Sequence, residues 1–462
     1  MTATNAAEQP RDPLDELRAD FMRRLPAHVE RLTWGEERLR AHQTEQLREL
    51  LRVANESSPF HRPRLLAAGI DPDAAELADL ARLPVMTKAD VMDRFDDVVT
   101  DRRLTRATVD RHIAAATAAL TLFLDDYLIV TSGGSSGRRG VYPVHRSKVA
   151  DFLAGGFRSG LAPAVARGTL PRDVPVCMVC GGSSIHVTSA SAVVLDGTVF
   201  RTSLAPATLP VAEMAARVHA AQPLVLVGYP WALARLADEQ AAGRIAIKPA
   251  FVVTTGEQTT DQQGARIARG FGTTPANSYG ATEGLQGQAA PGDPVFTFCS
   301  DLAFVEFVDE ADHPVPLGTP AHHVLVTNLV NTAQPLIRYR LDDRMVQQPF
   351  AADHGHIRAL VEGRSDHQLT FGDRAIHPVT VMSALLRTPA VSEYQVRVTG
   401  RRMSVAVITD GPLVTADLTA ALAEAVARAG AGEVEVQVVV VDELERDPHT
   451  GKTQRFMSSP PA

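Results

Sequence analysis

The stretch best suited to chemistry is Y-L-I-V-T-S-G-G-S-S-G-R-R-G, residues 127–140. An apolar run leads into Ser132, Gly133, Gly134, Ser135, Ser136 and Gly137, closed by Arg138 and Arg139. Glycines let backbone amides approach an anion closely and hydroxyls add donors, so such a loop suits a polyphosphate. No G-K-[ST] closes it, so it is not a Walker A loop. Read alone, it serves equally as a flexible turn, and its arginines equally as solvated charges. A second candidate is the C-x-x-C of Cys177 and Cys180, but it sits in the apolar run P-V-C-M-V-C. With no second cysteine pair to complete a zinc set, that run reads as a buried strand. No G-x-S-x-G elbow points to a serine-hydrolase triad.

These residues need elements to hold them. From about 14 to 55 the apolar spacing is helical, and Thr87 in T-K-A-D is placed to cap a further helix. From about 127 to 330, β-branched runs (YLIVTS, VPVCMVC, PLVLVGY, AFVVTTG) alternate with helical ones (VAEMAARVHAAQ, PWALARLADEQAAG). That alternation predicts a parallel or mixed sheet covered by helices. Near 301 the pattern turns to strands with turn signals, LAFVEFVDEADHPVPLG and HHVLVTNLV, which reads as a smaller β-rich subdomain. From about 367 the strands YQVRVTG, MSVAVITDG and VEVQVVVVD surround the helical DLTAALAEAVARAG, a small α+β domain.

A chain of 462 residues predicts two or three domains. At 45% hydrophobic and 22% charged the composition is that of a globular protein, and a formal charge of -8 argues against a nucleic-acid partner. The N-terminus lacks the basic and apolar pattern of a secretory signal, the apolar stretches are too short to span a bilayer, and cytoplasm is the default expectation.

Read with four further stretches, the glycine loop resembles the phosphate loop of the adenylate-forming superfamily of acyl- and aryl-CoA synthetases, nonribosomal-peptide adenylation domains and luciferases. The stretches are T-T-G-E with N-S-Y-G-A-T-E-G, then P-L-I-R-Y-R-L-D-D, E-G-R-S-D and P-H-T-G-K-T-Q-R, in the family order. S-P-F-H-R, L-P-V-M-T-K-A-D-V and V-E-F-V-D-E resemble the phenylacetate–CoA ligase-like branch, so the likeness runs from residue 58 to 456. It implies an α/β fold: a large N-terminal domain of mixed sheets over 1–365 and a small mobile α+β C-terminal domain over 366–462.

The resemblance also implies roles. Gly256 and Glu257 would wrap the adenine, with Ser278, Tyr279 and Gly280 lining the nucleotide. Thr282 would meet phosphate, Glu283 would hold Mg2+ and Asp343 would bind the ribose. Arg364 would contact the nucleotide, Asp366 would be the hinge and Lys452 would serve adenylation. The acid would lie near His186, Tyr229 and Ala281; His186 could equally cap a strand. ATP is the implied co-substrate. The implied partners are a small acid and a thiol or amine acceptor, with CoA one candidate and a homodimer one possible assembly. Two other readings follow from relatives or from the loop alone: nitrite activation for an aryl amine, and nucleotide binding without turnover. Departures from the family pattern are an extra glycine and two arginines in the phosphate loop, Ala321-His322 for Gly-Glu, and Phe371-Gly372 for Arg-Gly.

Overall fold

The computed structural model describes residues 12–117, 119–132, 140–364, 369–372, 374–376, 379–386, 388, 390–448 and 450–459. The chain opens with the helix Pro13–Glu30, capped by the Asp12 side chain with proline at its first position. Its Leu17, Phe21 and Leu25 fall on one face and are buried. That face lies on the helix Arg146–Ala166, where Asp151 takes His28 at 2.9 Å and Arg24 at 2.9 Å. Thr87 caps the helix Lys88–Asp93 with a reciprocal bond from Asp90, as its sequence predicts.

Strands β1 (Tyr127–Ser132) and β2 (Gly140–His145) form an antiparallel hairpin, so the glycine loop joins two strands. The main sheet takes β3 (Val174–Val179), β4 (Phe200–Leu204), β5 (Val225–Gly228), β6 (Phe251–Thr255) and β7 (Ala276–Gly280) in parallel, in the order 4-3-5-6-7. Helices Val211–Ala221, Pro230–Ala241 and Asp261–Phe271 alternate with these strands, the α/β pattern that the β-branched and alanine-rich runs dictate. Strands β8 (Gln286–Ala289) and β9 (Val295–Phe298) extend the sheet in antiparallel fashion.

The β-rich segment beyond 301 divides between two sheets. Strands β10 (Ala303–Val308), β11 (His323–Asn328) and β12 (Tyr339–Leu341) make a sheet of their own. Strands β13 (Asp343–Gln348) and β14 (Arg358–Arg364) turn back to complete the nine-stranded main sheet. Beneath it, Arg158 and Asp301 form a fully buried two-pronged ion pair at 2.6 Å. Burial alone would raise the Asp301 carboxyl, but the guanidinium holds it down at about 2.

Beyond β14 lie a small hairpin, β15 (Leu369–Phe371) with β16 (Arg374–Ile376), and a four-stranded sheet. The sheet contains β17 (Val391–Thr399), β18 (Arg402–Thr409), β19 (Glu435–Val440) and β20 (Phe456–Ser459) in the order 19-18-17-20. The helix Thr415–Val426 packs on it. Val396, Val398, Val405, Val407, Leu418 and Leu422 belong to a hydrophobic core separate from that of the main sheet.

Candidate active site

Strands β3, β5, β6 and β7 end side by side, and in an open parallel sheet the crevice beyond the carboxyl ends is where ligands sit. The residues that follow each strand meet there. After β3, the Gly181 N–H donates to the Tyr229 hydroxyl at 3.2 Å, and Tyr229 itself follows β5. The His186 ring lies so close over Gly181 that an added Cβ would stand 2.6 Å from its Cδ2. His186 also bridges to Thr131 of β1, which docks the β1–β2 hairpin at the mouth of the crevice. Burial raises the Tyr229 phenol, so the ring stays neutral.

Strand β7 and the turn after it are half-buried from Ala276 through Thr282, apart from the exposed Gly280, and Glu283 is buried. Ala281 and Gly284 close a turn, and Gly284 adopts φ +114°, which favours glycine. The Glu283 carbonyl accepts from Asn328 at 2.9 Å, and its Oε1 accepts from the Tyr142 hydroxyl at 2.7 Å. Tyr142 is buried on β2, with the Tyr339 hydroxyl 3.4 Å away. Tyr279 packs edge-on against Phe298 and Phe296.

Four signature segments converge behind this turn. His61 of S-P-F-H-R bonds the Pro335 carbonyl at 2.9 Å, and its Nδ1 faces Arg64 at 3.2 Å. Arg338 donates to Glu306 of V-E-F-V-D-E at 3.0 Å and to the Leu83 carbonyl at 2.7 Å. Met86 of L-P-V-M-T-K exchanges backbone bonds with Arg338 and Arg340. These contacts fix Tyr339 and lead the chain to Asp343, which is buried and paired in register with Arg364. Its neighbour Asp342 lies beside Arg340 at 2.6 Å and is the more exposed of the two.

The segment that follows β19 returns Lys452 to the crevice. Asp447 shapes its loop: Oδ1 takes the Thr450 N–H at 2.7 Å and hydroxyl at 2.9 Å, while its carbonyl takes Gly451 N–H at 2.8 Å. Gly451, at φ +73°, lies against Ala207, where a Cβ would come within 2.7 Å of backbone carbon. Only glycine meets both demands, and the tip of the loop is packed down. A Cβ on Gly256 would stand 3.5 Å from Lys452 Cε, and the ammonium lies 5.6 Å over the Tyr229 ring. Burial lowers the Lys452 pKa; the charges of Glu257, Asp447 and Glu283 oppose that shift. The Thr453 N–H donates to Glu257 Oε1 at 2.8 Å. Burial pushes the Glu257 carboxyl up to about 7 against the pull of Arg455, that N–H and Lys452.

His186, Tyr229, Gly256, Glu257, Ser278, Tyr279, Gly280, Ala281, Thr282, Glu283 and Lys452 are therefore carried by neighbouring strand ends and the loop docked on them. Ser132 ends β1, and its hydroxyl lies 3.4 Å from Lys88 Nζ. Gly133, Gly134, Ser135, Ser136, Gly137 and Asp366 lie outside the described residues; Arg364 is the last residue of β14. Motif reading missed Tyr142, and it used Lys88 only as part of a helix start. The available signal for Tyr142 was a tyrosine on an apolar strand, which needs a partner for its hydroxyl. Cys177 and Cys180 are both buried at β3, with burial pushing Cys180 up to about 12, as the strand reading of P-V-C-M-V-C predicts.

Across 92% of its length the chain superposes on a solved 2-hydroxyisobutyryl-CoA ligase in the postadenylation state with 2-HIB-AMP, covering 91% of that chain with a TM-score of 0.69 at 18% identity. The fold is that of the adenylate-forming ligases. The same ligase with 2-HIB-AMP and CoA in the thioesterification state gives a TM-score of 0.58, with 93% and 91% of the two chains covered at 18% identity. In sequence, the chain is 25% identical over 379 residues to a phenylacetate–coenzyme A ligase of Thermus thermophilus, 79% of each chain. No family model matches the chain. The resemblance to the phenylacetate–CoA ligase-like branch is thus borne out in sequence and in fold. Among the described residues, no helix is long and apolar enough to cross a membrane.

Proposed function

We propose that the protein is an ATP-dependent ligase that joins a small carboxylic acid to AMP and passes the acyl group to the thiol of CoA. The observation that carries this reading is the seating of Lys452 at the crevice, within electrostatic reach of Glu283 and Glu257. A cation close to a buried carboxylate suits acid activation by ATP, in which negative charge accumulates. The similar proteins named above, a phenylacetate–CoA ligase and a 2-hydroxyisobutyryl-CoA ligase, support the choice of acid and thiol.

A carboxylate cannot expel oxide, so its oxygen first attacks the α-phosphorus of ATP and pyrophosphate leaves. The mixed anhydride then has AMP as a leaving group, which the thiol sulfur displaces at the acyl carbon. In the first step two anions approach each other, and the Lys452 ammonium offsets that repulsion where the charge accumulates. Tyr229 and His186 bound the space beyond β3 and β5 that the acid would enter. Asp343 is the ribose ligand of this reading, and Arg364 and the loop of Ser132 to Gly137 meet the nucleotide.

Magnesium fits the residues present. Mg2+ takes one or two carboxylates plus substrate phosphates, and Glu283 offers a hard oxygen donor. Among the described residues no group of three or more His, Cys, Asp or Glu could hold a metal without such help. A bound Mg2+ would supply charge shielding and polarise the phosphoryl oxygens.

The test is a panel of small acids incubated with ATP and magnesium, with and without CoA. AMP, pyrophosphate and an acyl-CoA are the expected products; ADP with inorganic phosphate would overturn the reading. Product formed only when an amine or nitrite replaces CoA would reassign the acceptor. Lys452→Ala should slow adenylation by about 10²-fold or more and leave transfer from a supplied acyl-adenylate intact.

A further inference from the structure

We infer that Glu257 is the positioning residue that seats the Lys452 loop, through the hydrogen bond that its side chain accepts from the backbone of Thr453. The inference rests on the reading that Lys452 serves the first half-reaction. Glu257 follows β6 in the large domain, and Thr453 follows the lysine in the small one. Their bond of 2.8 Å therefore joins the two domains one residue from the catalytic ammonium. Gly256 leaves room for the rest of the seat: a Cβ there would stand 2.9 Å from the Tyr229 ring and 3.5 Å from the lysine stem.

Three observations separate this from a role in reading adenine. The carboxylate already holds the loop through Oε1. Its Oε2 is buried and has no hydrogen-bond partner among the described residues, so the group is held away from water for the sake of the contact it makes. The neighbouring cross-domain hydrogen bonds fix the loop's flanks, and at its tip the packing of Gly451 on Ala207 and of Lys452 over Tyr229 carries no direction. Arg455 donates to Gln263 at 3.0 Å, Arg446 lies 4.5 Å over Trp231 and donates to the Ala207 carbonyl at 3.3 Å, and Arg235 reaches the Asp442 carbonyl at 3.1 Å. At the tip, Glu257 supplies the directional bond, and an acceptor that binds a backbone N–H fixes the chain whatever side chain it carries.

The contact exists only while the domains are docked, so its loss should weaken adenylation and spare transfer. Glu257→Ala should lower the rate of adenylation about ten- to hundredfold, the scale of one hydrogen bond to a charged acceptor. Glu257→Gln keeps an acceptor oxygen and should recover most of that rate. Thr453→Pro removes the N–H from the other side and should behave like Glu257→Ala, which keeps the test open should either variant fold poorly. Full-length variants would be assayed in both half-reactions beside Lys452→Ala, with spin labels on the two domains to measure the docked fraction. The expected result is a lower docked fraction and slower adenylation in Glu257→Ala, unchanged transfer from supplied acyl-adenylate, and rescue by glutamine. Wild-type adenylation in Glu257→Ala would overturn the inference, as would equal loss in Ala and Gln or a raised KM for ATP with unchanged kcat and docking. Should Lys452→Ala itself adenylate normally, the reading beneath the inference fails instead, and the two failures are distinguishable.

Discussion

A tyrosine buried on an apolar strand needs a partner for its hydroxyl, and Tyr142 finds one in Glu283. Burial and the neighbouring carboxylate hold the phenol well above its usual range, so it stays a donor. A donor on Oε1 orients the carboxylate from behind, the task that outer partners of metal ligands perform. Tyr142→Phe should therefore raise the magnesium concentration needed for half-maximal adenylation by about tenfold, with the fold intact by circular dichroism. An unchanged magnesium dependence would leave the hydroxyl a purely structural partner. Motif reading reached Glu283 but not Tyr142, because the two lie 141 residues apart and pair only once the β1–β2 hairpin lies on the main sheet. Thr453 escaped for another reason: its contribution is a backbone N–H, which no residue type announces.

At the scale of elements, the signature segments that marked the branch serve as joints. S-P-F-H-R, L-P-V-M-T-K and V-E-F-V-D-E have no contact with one another in sequence, yet all three grip P-L-I-R-Y-R from different sides. His61 shows what such a joint costs. It donates through Nε2 to the Pro335 carbonyl and faces the Arg64 guanidinium through Nδ1, so it is held neutral, with burial first and Arg64 second lowering its pKa to about 3. A histidine depressed in the folded state must take up a proton on unfolding. Its contribution is present above its ordinary pKa and is lost as pH falls, at about 1.4 kcal/mol per unit between about 6.5 and 3. His61→Gln keeps a donor for Pro335 and removes the titration. Urea unfolding at pH 6.5 and 5.0 should show a pH slope shallower by about 2 kcal/mol in the variant than in wild type. Equal slopes would mean that His61 is charged in the folded protein. Strand and helix runs were readable from period and β-branching, and the parallel part of the main sheet followed from their alternation. The division of the segment beyond 301 between two sheets was not, because β12 and β13 are separated by a single residue and their partners are set by long-range packing.

At the scale of the molecule, the described residues form three hydrophobic clusters, and a polar seam lies between that of the main sheet and that of the four-stranded sheet. Arg266 and Glu393 face each other across it at 3.7 Å, and their Nη1 and Oε1 atoms have no hydrogen-bond partner among the described residues. A seam of this kind, unlike an apolar core, lets two domains part without exposing a large hydrophobic face. The motifs indicated which residues meet at the crevice; the seam depends on side chains such as Arg446 and Trp231 that belong to no motif. Cys177, Cys180 and Cys299 are all buried, and burial raises each thiol. A disulfide reagent such as DTNB is attacked by exposed thiolates, which these buried sulfurs do not offer. The folded protein should therefore give no colour with it, and the unfolded chain should give three equivalents. In samples quenched into DTNB from the proposed ligase reaction, the thiol then visible is that of the remaining CoA, with no background from the folded protein, and any later excess reports the protein's own denaturation.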